Sequence, residues 1–144
     1  FAGKPDLLLA VVAEALERSP AFEAAADHSG ERISEVVGFY VSRELEEVRG
    51  IGREVHAAAR REERVRALLA KYNGRVRKAT VARIRAMRGA RPAGSPELAA
   101  DVLLALVLGL AHLDTLFPER AGDPGFRAAV EEAVERILGA RRPR

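Results

Sequence analysis

Cysteine and tryptophan are absent from this chain of 144 residues, and methionine occurs once. Without cysteine there are no disulfides, no thiolate nucleophile and no thiolate metal site. Aromatic residues make up only 5% of the chain, so the core is aliphatic. Threonine, isoleucine and tyrosine are scarce, which removes the usual strand formers. Long apolar runs are missing too. The most apolar stretch, Leu98 to Leu113, contains Asp101 and is shorter than the roughly 20 residues that span a bilayer. Leu7 to Ala13 behind Lys4 imitates a short signal peptide, but the helical pattern continues through Glu14, Glu17 and Arg18, so no leader is expected. What remains is abundant Ala, Leu, Arg and Glu, all strong helix formers. With a hydrophobic fraction of 48%, these predict one all-α domain over residues 1–144 with a sizeable core.

Acidic charge is missing from the middle of the chain. Residues 1–63 carry 8 basic and 13 acidic side chains, residues 64–96 carry 10 basic and none acidic, and residues 97–144 carry 6 and 8. The middle block falls on a helix and makes a basic ridge. Such a ridge attracts nucleic acid or other anions, or is balanced by the acidic helices around it.

Glycine and proline punctuate the chain into six helices, 5–18, 31–49, 52–60, 62–88, 96–117 and 124–140. The breaks fall at Ser19-Pro20, Ser29-Gly30, Gly50-Ile51-Gly52, Gly89 to Ser95 and Pro118 to Pro124. Ser95-Pro96-Glu97 and Asp123-Pro124 read as caps with proline in the first turn. Gly139 ends the last helix. The 96–117 helix is apolar nearly all round. Val102, Leu103, Leu106, Leu110, Leu113 and Phe117 occupy one side, and Leu104 and Leu108 the other, so it must be buried on more than one face. The last helix has a single stripe through Phe126, Val130, Val134 and Ile137. Pairing these two helices with their copies would form a four-helix interface, with Gly109 allowing close approach. Cover by helices 5–18 and 62–88 of the same chain is the alternative, and the dimer is the expected arrangement.

Charges inside apolar stripes are costly unless paired, and so point to sites. Glu44 falls amid Ile33, Val37, Tyr40, Val41 and Val48. Arg83 falls amid Val65, Leu69, Tyr72, Val76 and Ala86. The two either pair with each other or line a cavity, where Tyr40, Tyr72, Asn73 and Thr80 add hydrogen bonds. Asp101, His112 and Thr115 share a face with Leu104 and Leu108, a second candidate pocket wall. The three histidines lack the spacing of a metal site. No Gly-x-Ser-x-Gly elbow, phosphate-cradling loop or carboxylate pair is present, so neither cofactor nor catalysis is expected.

The opening Phe1-Ala2-Gly3-Lys4-Pro5-Asp6-Leu7-Leu8 has a Phe-x-x-Lys-x-x-Leu-Leu pattern running into a helix. It resembles the joint that follows the DNA-reading helix in TetR/AcrR-family transcriptional regulators. Pro96-Glu97-Leu98-Ala99-Ala100 and Leu103-Leu104-Ala105-Leu106-Val107-Leu108-Gly109-Leu110 look like that family's penultimate helix. The resemblance implies a six-helix regulatory domain of TetR type, without the N-terminal helix-turn-helix. Its last two helices would form a homodimer interface through Val102, Leu103, Leu106, Gly109, Leu110, Leu113, Phe117, Phe126, Val130, Val134 and Ile137. The preceding helices would enclose a small, largely apolar effector. Tyr40, Glu44, Tyr72, Val76, Arg83, Asp101, Leu104, Leu108 and His112 would line the site, with His56 at its mouth. Glu44 suits a cationic group and Arg83 an anionic one. The expected role is cytoplasmic control of transcription, with DNA contacted only through the missing segment. A stand-alone nucleic-acid-associated protein using Arg75, Arg77, Lys78, Arg85, Arg88 and Arg91 is the alternative.

Overall fold

A computed structural model describes residues 7, 9–11, 13–14, 32–87, 91–92 and 94–139. The described residues at 7–14 are helical. The Phe1 joint, His28, and the breaks at Ser19-Pro20 and Ser29-Gly30 lie outside the described residues. Six α-helices follow: α1 (Ile33–Tyr40), α2 (Glu46–Ala59), α3 (Glu63–Ala86), α4 (Pro96–Leu110), α5 (Leu113–Leu116) and α6 (Pro124–Leu138). Short 3-10 turns lie at Arg43–Leu45 and Pro118–Arg120. The described residues contain no strand, and none of their helices is long and apolar enough to cross a membrane.

Local chemistry sets the helix ends. The Ser95 hydroxyl accepts from the Leu98 amide at 3.2 Å, and Pro96 opens α4 where no amide hydrogen is needed. The Asp123 carboxylate accepts from the Gly125 and Phe126 amides at 2.7 and 3.3 Å. Gly139 closes α6 in the left-handed region at φ +62°, and a Cβ there would stand 1.9 Å from the Arg91 carbonyl oxygen. Only glycine meets both demands.

The apolar residues collect into two cores. The first holds Val41, Ala100, Leu103, Val134 and Leu138, with Val81 and Ile84 from the end of α3. The second holds Val55 and Ala59 of α2 with Val65, Leu69, Tyr72 and Val76 of α3, and Leu104 packs against it. At 3.6 residues per turn, Val81 and Ile84 lie roughly 100–160° around α3 from the Val65–Val76 stripe. The helix therefore presents one face to each core. Arg83 continues the first stripe past the point where packing has rotated away from it, and so stays out of the core, partly exposed.

Three boundaries differ from the sequence expectation. The helix expected over 31–49 ends at Tyr40, and α2 runs straight through Gly50-Ile51-Gly52. The helix expected over 96–117 breaks after Leu110. One buried side chain, described below, accounts for these breaks. The apolar all-round character of α4 resolves into three faces. Ala99, Ala100, Leu103 and Leu110 enter the first core. Leu104 turns to the second. A stripe of Leu98, Val102, Ala105 and Gly109 stays exposed.

The basic ridge of α3 is partly balanced by α4. Arg77 makes a two-pronged pair with Asp101 at 2.5 and 3.0 Å, and Arg85 pairs with Glu97. Exposed pairs like these contribute little stability.

Asp123→Ala should lower stability by about 1 kcal/mol through loss of the α6 cap, while Asp123→Asn, which keeps the acceptor oxygen, should retain most of it. Urea unfolding midpoints of the three proteins check this.

A buried guanidinium and the candidate effector site

Arg49 is fully buried, at 0% exposure. Its Nε and Nη2 donate to the two Asp114 oxygens at 2.8 and 2.7 Å. Its Nη1 donates to the Tyr40 and Ser42 carbonyl oxygens at 2.5 and 2.8 Å. A buried charge needs this degree of satisfaction. The same bonds explain the helix breaks. A continuous 31–49 helix would engage the Tyr40 carbonyl in its own ladder. Ending α1 at Tyr40 frees that oxygen and the Ser42 oxygen for the guanidinium. The turn at Ala111-His112 after α4 brings Asp114 inward. Arg53, one helical turn beyond Arg49 on α2, donates from Nη1 to the Ala111 carbonyl at 2.8 Å and to Asp114 at 3.3 Å. The two glycines of α2 weaken that helix intrinsically, but these two arginines anchor it on either side of Gly50 and Gly52.

Hydrogen bonds from Arg49 hold the Asp114 carboxyl below its usual range, against the opposing effect of burial, with Arg53 adding to them. Burial raises the Tyr40 phenol, opposed by the positive fields of Arg49 and Arg53, while Tyr72 and Asp114 push it up further. Burial is also the main force lowering His56, and the charge of His112 adds to it. Tyr40, Arg49, Arg53, Tyr72 and Asp114 thus act on one another electrostatically, and His56 senses the charge of His112.

The residues expected from sequence distribute unevenly over this junction. Tyr72 and Val76 are in the second core and Leu104 lies against it. Tyr40 sits over α2, its hydroxyl 4.0 Å from the Cβ position of Gly52. His56 is half-buried on α2, and His112 is exposed just before α5. Glu44 requires correction. It stands exposed on the 3-10 turn, where its own backbone amide and Ser42 lower its carboxyl. Because the 31–49 helix is interrupted, the charge buried in this region is Arg49. Asp101 points outward to Arg77, and Leu108 is exposed. The Thr80 hydroxyl donates back to the Val76 carbonyl at 2.9 Å.

The interface residues divide as well. Leu103, Leu110, Leu113, Val130 and Val134 belong to the chain's own first core, since α1 and α6 close over them. Val102 and Phe117 are exposed, at 43% and 53%. Gly109 is exposed too, and Leu106, Phe126 and Ile137 are half-buried.

Arg49, Arg53 and Asp114 were not singled out from sequence. Two signals were legible: Asp114 interrupts the apolar run Leu110 to Phe117, and Arg49, Arg53 and His56 follow i, i+4, i+7 spacing on one side of a helix. Among the described residues no group of His, Asp or Glu could hold a metal ion.

The described residues thus form an all-α body with a polar junction between two aliphatic cores. The family model of the BetI-type transcriptional repressor C-terminal domain matches residues 29–139. The chain belongs to this family and is a TetR-type C-terminal regulatory domain. Comparison with curated proteins and with solved structures found no match.

Arg49→Met should destabilise the domain by about 3–5 kcal/mol, because it leaves the Tyr40 and Ser42 carbonyls without their donor and Asp114 with only its longer bond to Arg53. Adding Asp114→Leu should restore much of that loss, and a double-mutant cycle by chemical denaturation measures the coupling.

Acid should act in two stages. His56 has a lowered folded pKa, so its contribution is complete above 6.5, the ordinary histidine value, and fades as pH falls below it. Asp114 is also lowered, so its contribution holds above the ordinary value of 3.8 and is lost as pH drops toward the folded value. Thermal midpoints from pH 8 to 3 should decline gently at first and steeply at the end. Arg49→Met should shrink the second stage, with Arg53 keeping part of the Asp114 contribution.

Proposed function

We propose that this domain binds a small, largely apolar effector, forms a homodimer, and thereby controls DNA binding by a helix-turn-helix segment that precedes it in a cytoplasmic transcriptional regulator. Family membership supports the regulatory role. The observation that carries the dimer is the exposed stripe of α4. Leu98 and Val102 are 53% and 43% exposed, with Ala105 and Gly109 continuing the stripe and allowing close approach of a second helix. On α6, Ala129 and Ala133 are exposed between the half-buried Phe126 and Ile137. Apolar stripes on adjacent helices suit burial in an interface.

The effector site is proposed at the junction of the two cores. Tyr72, Val76 and Leu104 supply apolar walls, with Tyr40, His56 and His112 at the polar rim. An effector placed there touches α2, α3 and α4 together. It shifts the dimer between DNA-competent and incompetent forms only by binding one of them more tightly. The reading as a stand-alone nucleic-acid protein is weakened by the pairing of Arg77 and Arg85 with acidic residues of α4.

Sedimentation equilibrium of the chain should give about twice its 15.6 kDa mass. Val102→Glu, at an already exposed position, should give the monomer with its helical circular dichroism unchanged. Val102→Glu dimers of undiminished stability would place the interface elsewhere.

A further inference from the structure

The outward side of α3 carries charge of one sign. Val65, Leu69, Tyr72 and Val76 turn inward to the second core. At 3.6 residues per turn, the side of the helix opposite that stripe carries Arg64, Lys71, Arg75 and Lys78, all exposed. Lys71 and Lys78 stand two turns apart on it, roughly 10 Å along the axis. Residues 64–96 hold 10 basic side chains and none acidic, so from Arg64 onward the helix brings no carboxylate of its own. Two carboxylates of α4 reach α3, Asp101 and Glu97, and they are bonded to Arg77 and Arg85.

Between these cations the surface is low. Ala67, Gly74 and Ala82 share the same side and are exposed. A glycine inside a helix is costly compared with alanine. A Cβ at Gly74 would meet nothing within 4 Å among the described residues, so their packing does not call for the glycine. It leaves room for an outside body to approach the backbone between Lys71 and Lys78. These positions include no aromatic ring on which a base could stack and no large apolar side chain that could enter a lipid surface. What they match is a regular polyanion of high linear charge density, the phosphate backbone of a duplex.

We infer that the outward side of α3 is an accessory, sequence-independent DNA contact, on which Lys71 and Lys78 neutralise phosphates of a duplex whose backbone passes over Gly74. The choice of DNA rests on the regulatory reading above, in which a preceding segment holds the domain near an operator and raises the local concentration of phosphates. Such a contact adds affinity and positions the body without reading bases.

The test uses the 144-residue chain and a fluorescent DNA duplex of about 24 base pairs and arbitrary sequence, followed by anisotropy from about 25 to 200 mM salt. Log affinity should fall linearly with log salt. Lys71→Gln with Lys78→Gln should flatten that slope by about 2, close to one per lysine, and weaken binding about tenfold at the lowest salt. Lys71→Arg with Lys78→Arg should keep the slope. Gly74→Leu, which adds bulk and no charge, should weaken binding several-fold with the slope unchanged. Arg32→Gln with Arg43→Gln removes the same charge from exposed positions outside α3 and should leave the slope as it was. A slope unmoved by loss of the two lysines, equal flattening by the Arg32 and Arg43 pair, or undiminished binding by Gly74→Leu would each overturn the contact. So would no duplex binding at the lowest salt, or tighter binding to single strands, duplex RNA or phosphatidylglycerol vesicles. None of these outcomes bears on the proposed dimer, which sedimentation reads, or on effector binding. Circular dichroism checks that the variants fold. Should Gly74→Leu lose structure, the lysine variants and their arginine controls still decide.

Discussion

The Arg49–Asp114 pair is the constraint around which the rest of the domain is arranged. A guanidinium with 0% exposure is tolerated only when its donors find acceptors, and here the acceptors come from three separate segments. The end of α1, the turn before α2 and the start of α5 all converge on one side chain. Removing that convergence would leave α1 and α2 free to run together, and α4 free to extend beyond Leu110. The fold thus exchanges longer regular helices for a cross-linked junction. Replacing such a network with apolar groups is often neutral or stabilising, so its role here is to specify geometry: which turn ends where, and which face of α2 looks inward.

That geometry places two aliphatic cores side by side with a polar seam between them. The first core is closed by the chain itself, through α1, α4 and α6. The second is built mainly from α2 and α3, with Leu104 as its link to α4. A long α3 serves both by rotating its apolar face along its length. Movement at the seam is therefore felt by both bodies. Arg53 ties α2 to the carbonyl of Ala111, just beyond the end of α4, the helix whose outer stripe is proposed to meet a second subunit. A ligand at the seam and a partner at α4 would act on the same short segment, which gives effector and dimer geometry a common mechanical element.

The sites legible in the sequence were those whose chemistry is local. The caps at Ser95 and Asp123 and the stop at Gly139 depend on residues within a few positions, and the structure has them as expected. The burial of Tyr72 and Val76, with Leu104 packed against their core, followed from helical periodicity. Glu44 was misplaced because periodicity assumes that a helix continues. The break at Tyr40 depends on Arg49 reaching backward and on Asp114, 65 positions further along the chain. Gly50 and Gly52 looked like a stop because glycine is a poor helix former, but long-range anchoring outweighs about 1 kcal/mol of local preference.

The sequence by itself determined the helical class, most helix boundaries, the family resemblance, and the surplus of apolar surface on the 96–117 segment. These rest on composition and on spacing within one helix, and neither needs a partner distant in the chain. Only the tertiary structure decided which charges are buried, how the surface of α4 divides among two cores and an exposed stripe, and that Arg53 ties α2 to the turn after α4. Those outcomes depend on which side chains meet after folding, where the cost of burying a charge is set by acceptors contributed from elsewhere in the chain.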